Sequence, residues 1–357
     1  MRRRTPIASA GGRRRFPAPL LGVVLLAAAG TLVWGCHTAA PLRSSAAQAP
    51  GPAPAGHPHT SYLPRSPRWP GYLPNPQHRM LLGAFTGLSG QASDEASTER
   101  REAAIGRRYD LELTYYQWDD PFPDFGEATI VGHGRTPVMT WYGPGKDPGD
   151  HRTLAQINGG RDDAWIMRQA EAIKQFRKPI FLRLMIEMNG NWYRGYSGDP
   201  SAYTAAWRRI HRLFAQAGTS NVIWVWCPNN QPANWDQYYP GDSYVDVIGV
   251  DGYNWPSNPW QSFEQLFGPF LQHYAGRKPL MIGEAGTNAT RGNEASFISG
   301  MHSYLKNVAG PRYGAVALCW FDSDISGGGT NWRLDQTPAA WKAWLALARD
   351  PYFGGRG

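Results

Sequence analysis

The 357-residue sequence has only three cysteines, and no Cys/His or Ser/His arrangement stands near the end of a predicted strand. Nucleophilic catalysis by a thiol or a serine hydroxyl is therefore not indicated. Internal repeats at solenoid periods are also lacking, which argues against a stacked-repeat architecture. Cys227 and Cys319 end the fifth and eighth predicted strands, which are not neighbours in a barrel, so we expect two buried thiols and no disulfide.

Acidic residues are absent from the first 36 positions, which hold six arginines at 2–4 and 13–15. Removing these six charges from the formal net charge of +8 leaves +2 for the rest of the chain. The globular part therefore has no basic surface of the kind that binds DNA or RNA, and a nucleic-acid partner is not expected. Aromatic residues are abundant instead, with 16 Trp and 17 Tyr.

The segment 1–36 has the pattern of an export signal. Its arginine-rich start precedes an apolar run, Leu20 to Val33, that is too short for a comfortable membrane span. "RRRF" resembles a twin-arginine signal and "VWGC" resembles a bacterial lipobox ending at Cys36. Lipid attachment at Cys36, cleavage nearby and a lone transmembrane anchor remain open alternatives. We expect an exported protein, either extracellular or attached to the outer face of the bacterial cell membrane.

Residues 37–77 are rich in proline, alanine and serine and poor in apolar side chains. Such a segment does not bury enough surface to offset its ordering entropy, so a flexible linker is predicted. The remaining residues, 78–357, are predicted to form one globular domain, and a monomer is expected.

Eight apolar runs alternate with amphipathic segments in this domain. Most runs are continuous rather than alternating, which is typical of strands covered on both faces. The pattern favours an α/β fold, a (β/α)8 barrel, with a doubly wound open sheet as the alternative. The predicted strands are 80–87, 111–118, 136–143, 179–187, 221–228, 244–253, 278–286 and 314–322. The predicted helices are near 95–107, 161–176, 203–217, 260–274, 293–308 and 338–349, and the second interval has the weakest helical pattern.

Polar residues gather where several of these strands end. Glu187 and Asn189 end strand four, Tyr253 ends strand six, and Glu284 lies in strand seven. In such barrels the carboxyl ends of all strands meet at one mouth, where the chemistry takes place. Two facing glutamates are what a retaining glycosidase needs, one as acid/base and one as nucleophile.

An arginine and four aromatic residues accompany the two glutamates. Arg183 lies four positions before Glu187, so strand alternation predicts that both side chains share one face. A cation there would help to keep the nucleophile ionised, whereas a purely structural Arg183–Glu187 salt bridge is the alternative. An acid catalyst must instead stay protonated, so Glu187 needs a raised pKa, which apolar neighbours could provide. The flat faces of sugars pack on aromatic rings, and the candidates for such contacts are Trp192, Tyr253, Trp255 and Trp320.

The motifs "RLMIEMNGNWY", "YYPGDSYVDVIGVDGYNW", "KPLMIGEAG" and "AVALCWFD" resemble those of glycoside hydrolase family 26. The resemblance covers nearly all of 78 to 354. It implies a (β/α)8 barrel, retention of configuration, and substrates among β-mannans, mixed-linkage β-glucans and β-1,3-xylans. By resemblance Glu187 is the acid/base in the E-M-N-G motif, and Glu284 is the nucleophile.

The same resemblance assigns roles to the neighbours of the two glutamates. It implies that Arg183 is the arginine on the same strand as the acid/base, and that Tyr253 hydrogen-bonds the nucleophile. Trp320 is implied to be the platform beneath the sugar at the cleavage point, and Trp192 to line the neighbouring subsite. Ile186 departs from the family's commoner pattern, which has a histidine directly before the acid/base.

The sequence therefore predicts an exported retaining endo-β-glycanase, with β-1,4-mannan as the first choice of polysaccharide. Because Ile186 replaces the histidine, a mixed-linkage β-glucan, a β-1,3-xylan or a bacterial exopolysaccharide stays open as the substrate. A non-hydrolytic carbohydrate-binding protein on the same scaffold is the alternative from another class. Asp322 and Asp324 lack the carboxylate pattern of helix-loop-helix calcium sites, so no metal is expected there. The alternative for the segment 322–335 is an active-site loop that brings Trp332 over the cleft, and no cofactor is expected.

Overall fold

The computed structural model describes residues 78–146, 149–290, 292–325 and 330–354. The predicted export signal with Cys36 and the predicted linker, 37–77, lie outside these residues. Over the described ranges, no helix combines the length and the apolar character needed to cross a bilayer.

Eight parallel strands close into a barrel in sequence order. β1 pairs with β8 along its whole length, from Leu81 opposite Ala317 to Gly87 opposite Ser323. Because this pairing leaves no open edge, the predicted (β/α)8 barrel is confirmed and the open doubly wound sheet is excluded. The strands are β1 Leu81–Gly87, β2 Leu111–Tyr116, β3 Thr136–Trp141, β4 Ile180–Leu184, β5 Val222–Trp226, β6 Val247–Asn254, β7 Leu280–Thr287 and β8 Ala315–Ser323.

Helices follow the strands and surround the barrel. The helix α5, Pro200–Gln216, shows why they form. Asp199 caps its first turn, Pro200 is its first residue, and its buried residues recur at helical spacing up to Phe214. The interval after β5 differs, because it contains only the short 3₁₀ helices Trp235–Tyr238 and Asp242–Tyr244. The α-helices are α1 Asp94–Ile105, α2 Phe125–Gly132, α3 Leu154–Asn158, α4 Asp163–Phe176, α5 Pro200–Gln216, α6 Phe263–His273, α7 Glu294–Tyr304, which continues as a π-helix over Leu305–Tyr313, and α8 Pro338–Ala348.

Strand alternation divides the buried side chains into an outer layer against the helices and an inner cluster within the barrel. In β8, for example, Leu318 and Trp320 belong to the outer layer, whereas Cys319 and Phe321 belong to the inner cluster. Cys227 is also in the inner cluster, and both cysteines are buried and unbridged, as predicted.

The two ends of the described domain meet beside the start of β1. The backbone N–H of Met80 donates to the carbonyl of Tyr352 at 2.7 Å, and Arg79 Nε donates to the carbonyl of Gly354 at 2.8 Å. Strands of a barrel start at the face opposite to the mouth, so both ends lie at that far face.

Candidate active site

Glu187 lies in a sharp turn rather than in a strand. β4 ends at Leu184, three residues before the predicted end, and both Met185 and Glu187 have left-handed backbone angles, with φ of 46° and 53°. Non-glycine residues rarely adopt such angles. Strand alternation therefore does not relate Glu187 to Arg183, and the argument that the two share a strand face is wrong for this reason.

The carboxylate of Glu187 accepts hydrogen bonds from two neutral donors. Asn229 Nδ2 lies 2.7 Å from Oε1, and Trp192 Nε1 lies 2.9 Å from Oε2. Burial raises the pKa of Glu187 to about 7, the negative charge of Glu284 adds to the rise, and the bonds from Asn229 and Trp192 oppose it. Much of Glu187 is therefore protonated near neutral pH, which is the state of an acid catalyst.

Glu284, from β7, is held by three donors, one of them a permanent cation. Its Oε1 accepts from Arg183 Nη1 at 2.8 Å and from the Tyr115 hydroxyl at 2.9 Å. Its Oε2 accepts from the Tyr253 hydroxyl. Arg183 matches the charge of a carboxylate anion, so this surrounding suits a nucleophile.

Arg183 is fully buried and links Glu284 to Asp251. Its Nη2 donates to Asp251 Oδ2, while the Cys227 thiol donates to Asp251 Oδ1 at 3.2 Å. The alternative of a structural Arg183–Glu187 salt bridge is excluded, because the guanidinium pairs with Asp251 and Glu284. A Cβ at position 283 would lie only 2.6 Å from both Asp251 Oδ1 and Cys227 Sγ, so only glycine fits beside this group.

Asn189 does not offer its amide to the mouth. Its Nδ2 donates to the carbonyls of Asn229 and Pro232 at 2.9 and 2.8 Å, and its Oδ1 accepts from the backbone N–H of Asn229 at 2.8 Å. With the side chain buried and these bonds made, the predicted substrate contact does not fit. Asn189 instead fixes the segment that carries Asn229, and Asn229 in turn contacts Glu187.

The structure brings three of the four predicted aromatic residues to the mouth. Trp192 contacts Glu187, and the partly buried Tyr253 and Trp255 lie together with ring centroids 5.7 Å apart. Trp320 is different: it is fully buried in the outer layer, with its ring next to Phe297 of α7 and Trp344 of α8. The structure therefore contradicts the platform role, because alternation in β8 turns Trp320 away from the mouth.

Sequence reasoning missed several residues of the site. Tyr115 follows Leu111 and Leu113 on the inner face of β2, so strand parity could have indicated it. Asn229 lies three residues beyond the end of β5, where parity gives no such signal. Trp332, interpreted from the sequence as a residue that its loop brings over the cleft, lies instead behind the rings of the mouth. Its buried ring lies 4.9 Å from both the Tyr253 and the Trp255 rings and backs them.

Comparison with known proteins finds similarity over the part of the chain that carries the two glutamates. The model of glycosyl hydrolase family 26 matches residues 155–291, a range that includes both glutamates. Endoglucanase H of Acetivibrio thermocellus is 31% identical over 291 residues, which are 76% of this chain and 31% of that protein. A mannan endo-1,4-beta-mannosidase of Bacillus subtilis is 24% identical over 268 residues, 63% of this chain and 71% of that protein.

The resemblance to glycosyl hydrolase family 26 found in the sequence is thus confirmed. The chain spans only about a third of the length of Endoglucanase H.

Solved structures share the fold of this chain. The Bacillus subtilis mannanase man26 aligns with a TM-score of 0.54 at 20% identity, covering 77% of this chain and 86% of that one. A Cellulomonas fimi endo-beta-1,4-mannanase double mutant aligns with a TM-score of 0.60 at 17% identity, covering 77% of this chain and 72% of that one.

Asp322, in β8, and Asp324, just after it, are each paired with an arginine. Arg101 bonds both oxygens of Asp322 at 2.6 and 3.1 Å, and Arg333 Nη1 lies 3.2 Å from Asp324 Oδ2. Both carboxylates therefore take part in ion pairs.

One group in the described ranges has ligand atoms close enough for a metal: Glu95, Glu99 and His133, whose atoms lie within 4.8 Å of one another. Arg135 Nη1 lies 2.9 Å from Glu95 Oε1 and repels a metal cation there. Glu95 and Glu99 of α1 thus form an ion-pair network with His133 and Arg135, which follow α2 in the sequence.

Proposed function

We propose that this protein cleaves a β-linked polysaccharide at internal positions with retention of configuration, and that β-1,4-mannan is its first substrate. What supports the proposal is the contrast between two carboxylates in one mouth. Glu187 has only neutral donors and a pKa raised to about 7, whereas Glu284 is bonded by Arg183. A protonated acid beside an anionic nucleophile is the pair that double displacement requires.

The two chemical steps follow from the surroundings of the two glutamates. In the first, Glu284 attacks the anomeric carbon while Glu187 gives its proton to the leaving glycosidic oxygen. In the second, Glu187 takes a proton from water, the water oxygen bonds to the anomeric carbon, and Glu284 leaves as a carboxylate. The Tyr253 and Trp255 rings at the mouth offer faces for the sugar.

The names of the relatives support two polysaccharides. Several are named mannan endo-1,4-beta-mannosidases, which favours β-1,4-mannan. Endoglucanase H matches a larger share of this chain at higher identity, and Ile186 lies in the apolar inner cluster, so a β-glucan is the second candidate. A β-1,3-xylan or an exopolysaccharide would use the same two glutamates.

Separate Glu187→Ala and Glu284→Ala variants of the full chain test the proposal on mannan, mixed-linkage glucan and β-1,3-xylan. Each variant should lose at least about a thousandfold in reducing-sugar release, because each removes one half of the mechanism. With a dinitrophenyl β-glycoside of the accepted sugar, whose leaving group departs without a proton from Glu187, azide should rescue both variants with opposite stereochemistry, giving the β-glycosyl azide with Glu187→Ala and the α-glycosyl azide with Glu284→Ala. Glu99→Ala, an exposed glutamate on α1, is the matched control.

If wild type and both variants are equally inactive while the chain still binds one of the polymers, the carbohydrate-binding alternative replaces the hydrolase. An even ladder of oligosaccharides from mannan would support internal cleavage. Release of a single short product from the start would contradict it.

We also propose that the protein is exported and attached by a lipid at Cys36. Its support is the sequence of 1–36, with its arginines and the "VWGC" motif. Mass spectrometry of the membrane fraction should find a diacylglycerol-modified Cys36 at the mature N-terminus, and Cys36→Ala should abolish the modification. An unmodified, cleaved protein in the medium would contradict lipid attachment and leave export standing, whereas an uncleaved cytoplasmic chain would contradict both.

A further inference from the structure

Tyr115 is a second tyrosine on the carboxylate of Glu284, and it comes from a strand on the other side of the barrel. Its hydroxyl donates to Glu284 Oε1 at 2.9 Å. Three rings fix its orientation: Phe85 lies edge-on at 5.1 Å, Phe321 edge-on at 6.3 Å, and Tyr142 is stacked at 6.2 Å. These three rings pack the Tyr115 ring in place beside Glu284.

The two oxygens of Glu284 differ in their number of donors. Oε1 accepts from both Arg183 and Tyr115, whereas Oε2 accepts from Tyr253 alone among the bonds of the described residues. A carboxylate oxygen has two lone pairs, so both pairs of Oε1 are used and Oε2 retains one. The geometry therefore points to Oε2 as the oxygen that attacks the anomeric carbon.

We propose that Tyr115 is a positioning residue that holds Oε1 of Glu284 and so favours release of the carboxylate in the second step. The inference rests on the proposed hydrolysis by double displacement. In that step the water oxygen bonds to the anomeric carbon, the water proton goes to Glu187, and the electron pair of the bond to Oε2 returns to Glu284. A hydroxyl bonds a carboxylate more strongly than it bonds the carbonyl of a glycosyl ester.

Loss of the Tyr115 hydroxyl therefore raises the free energy of the free carboxylate relative to the glycosyl-enzyme. The covalent intermediate should then accumulate, which lowers kcat and KM together. A residue that only supports the fold would not produce this pattern.

The test compares Tyr115→Phe with Tyr116→Phe in the full chain. Tyr116 is the next residue of β2 and lies in the outer layer, where its hydroxyl donates to Glu127, so its variant removes the same type of bond outside the site. The substrate is a dinitrophenyl β-glycoside of the sugar that wild type accepts, because its leaving group makes the second step limiting. Steady-state kinetics and the intact protein mass during turnover are measured.

For Tyr115→Phe we expect kcat and KM each to fall about 10-fold to 100-fold, the effect of one lost hydrogen bond to a charged group, with kcat/KM changed by less than about fivefold. At one substrate concentration below the wild-type KM, the intact mass should show a larger fraction of glycosyl-enzyme in this variant than in wild type. Tyr116→Phe should keep the wild-type kinetics within about twofold, although its thermal midpoint should fall.

A Tyr115→Phe variant with wild-type kinetics, or with lower kcat at unchanged KM and no covalent species, would overturn the inference. If Tyr115→Phe does not fold, Tyr115→Leu is measured in the same way, and loss of fold in both would overturn it by assigning Tyr115 a structural role. Failure of wild type itself to turn over any glycoside would instead contradict the proposed function.

Discussion

The guanidinium of Arg183 lies 2.8 Å from Glu284, 101 positions away along the chain, and it makes no ion pair with Glu187, only four positions away. Barrel closure accounts for the first contact, and the turn after β4 accounts for the second. The two glutamates therefore differ: Glu284 is bonded by the cation, and Glu187 keeps a raised pKa of about 7.

Asn229→Ala should move the basic limb of the pH dependence of kcat/KM upward. Acid catalysis needs protonated Glu187, so activity is lost as pH rises through its pKa of about 7. The hydrogen bond from Asn229 lowers that pKa, and its removal should raise the limb by about one pH unit. The measurement is a kcat/KM profile from pH 5 to 9, with the exposed Asn307→Ala as control.

Asn189→Ala should shift the same limb in the same direction, because Asn189 holds Asn229 in place. The double variant should shift no further than Asn229→Ala alone. Additive shifts would contradict a positioning role for Asn189.

Trp320→Phe should lower stability and leave substrate binding unchanged. Its ring fills space against Phe297 and Trp344, so a smaller ring leaves a cavity and lowers the free energy of unfolding by about 1–3 kcal/mol. Trp255→Ala is the counterpart at the mouth and should raise KM severalfold with less effect on unfolding. Urea unfolding and steady-state kinetics on the accepted polymer check both, and a larger rise of KM in Trp320→Phe than in Trp255→Ala would argue against the outward placement.

Gly283→Ala should disturb the Arg183 group. The new Cβ would lie 2.6 Å from Asp251 Oδ1 and 3.3 Å from Arg183 Nε, so neighbouring atoms must move. We expect activity to fall at least about tenfold and unfolding free energy to fall by about 1–3 kcal/mol. Gly300→Ala, in α7 with nothing within 4 Å of the new Cβ, is the control and should stabilise the chain slightly. Equal behaviour of the two variants would argue against the crowding.

Glu294→Gln should remove a loss of stability at alkaline pH. Burial raises the pKa of Glu294 from 4.5 to about 8, although the bond from Gln336 opposes the rise. The folded chain therefore binds one more proton than the unfolded chain between these values, so this residue's contribution to stability falls as pH rises through the window.

The comparison for Glu294→Gln is the change in unfolding free energy between pH 5 and pH 9. The variant should lose less stability over this interval than wild type, by about 1.4 kcal/mol for each unit of pKa shift at most. Glu99→Gln, on the exposed face of α1, should follow wild type. An identical pH dependence in all three proteins would exclude the shift at Glu294.

The barrel could be predicted from the sequence because apolar runs alternate with amphipathic segments along 78–354. Each apolar run predicted its strand to within a few residues. The sequence also predicted that Glu187 and Glu284 lie at the same mouth of the barrel. Local backbone geometry was not readable, since nothing in "LMIEM" signals two left-handed residues after Leu184.

The contacts between side chains were equally hard to predict from the sequence. Trp320 matched the expected motif, yet the parity of β8 turns it outward. Trp332 was interpreted as lying over the cleft, yet its ring backs Tyr253 and Trp255 instead. Asn189 had the right residue type at a strand end, but its amide bonds backbone groups. Long-range side-chain pairing decides these roles, and residue type alone does not.

The meeting of Arg79 with Gly354 has a practical consequence for anyone who handles this domain. Because both ends emerge at the face opposite to the mouth, a tag, a solid support or a fused binding module can be attached at either end without standing in the path of a long polymer. The two ends are also close enough to be joined, so the chain could be reopened at a surface loop and still form the same barrel.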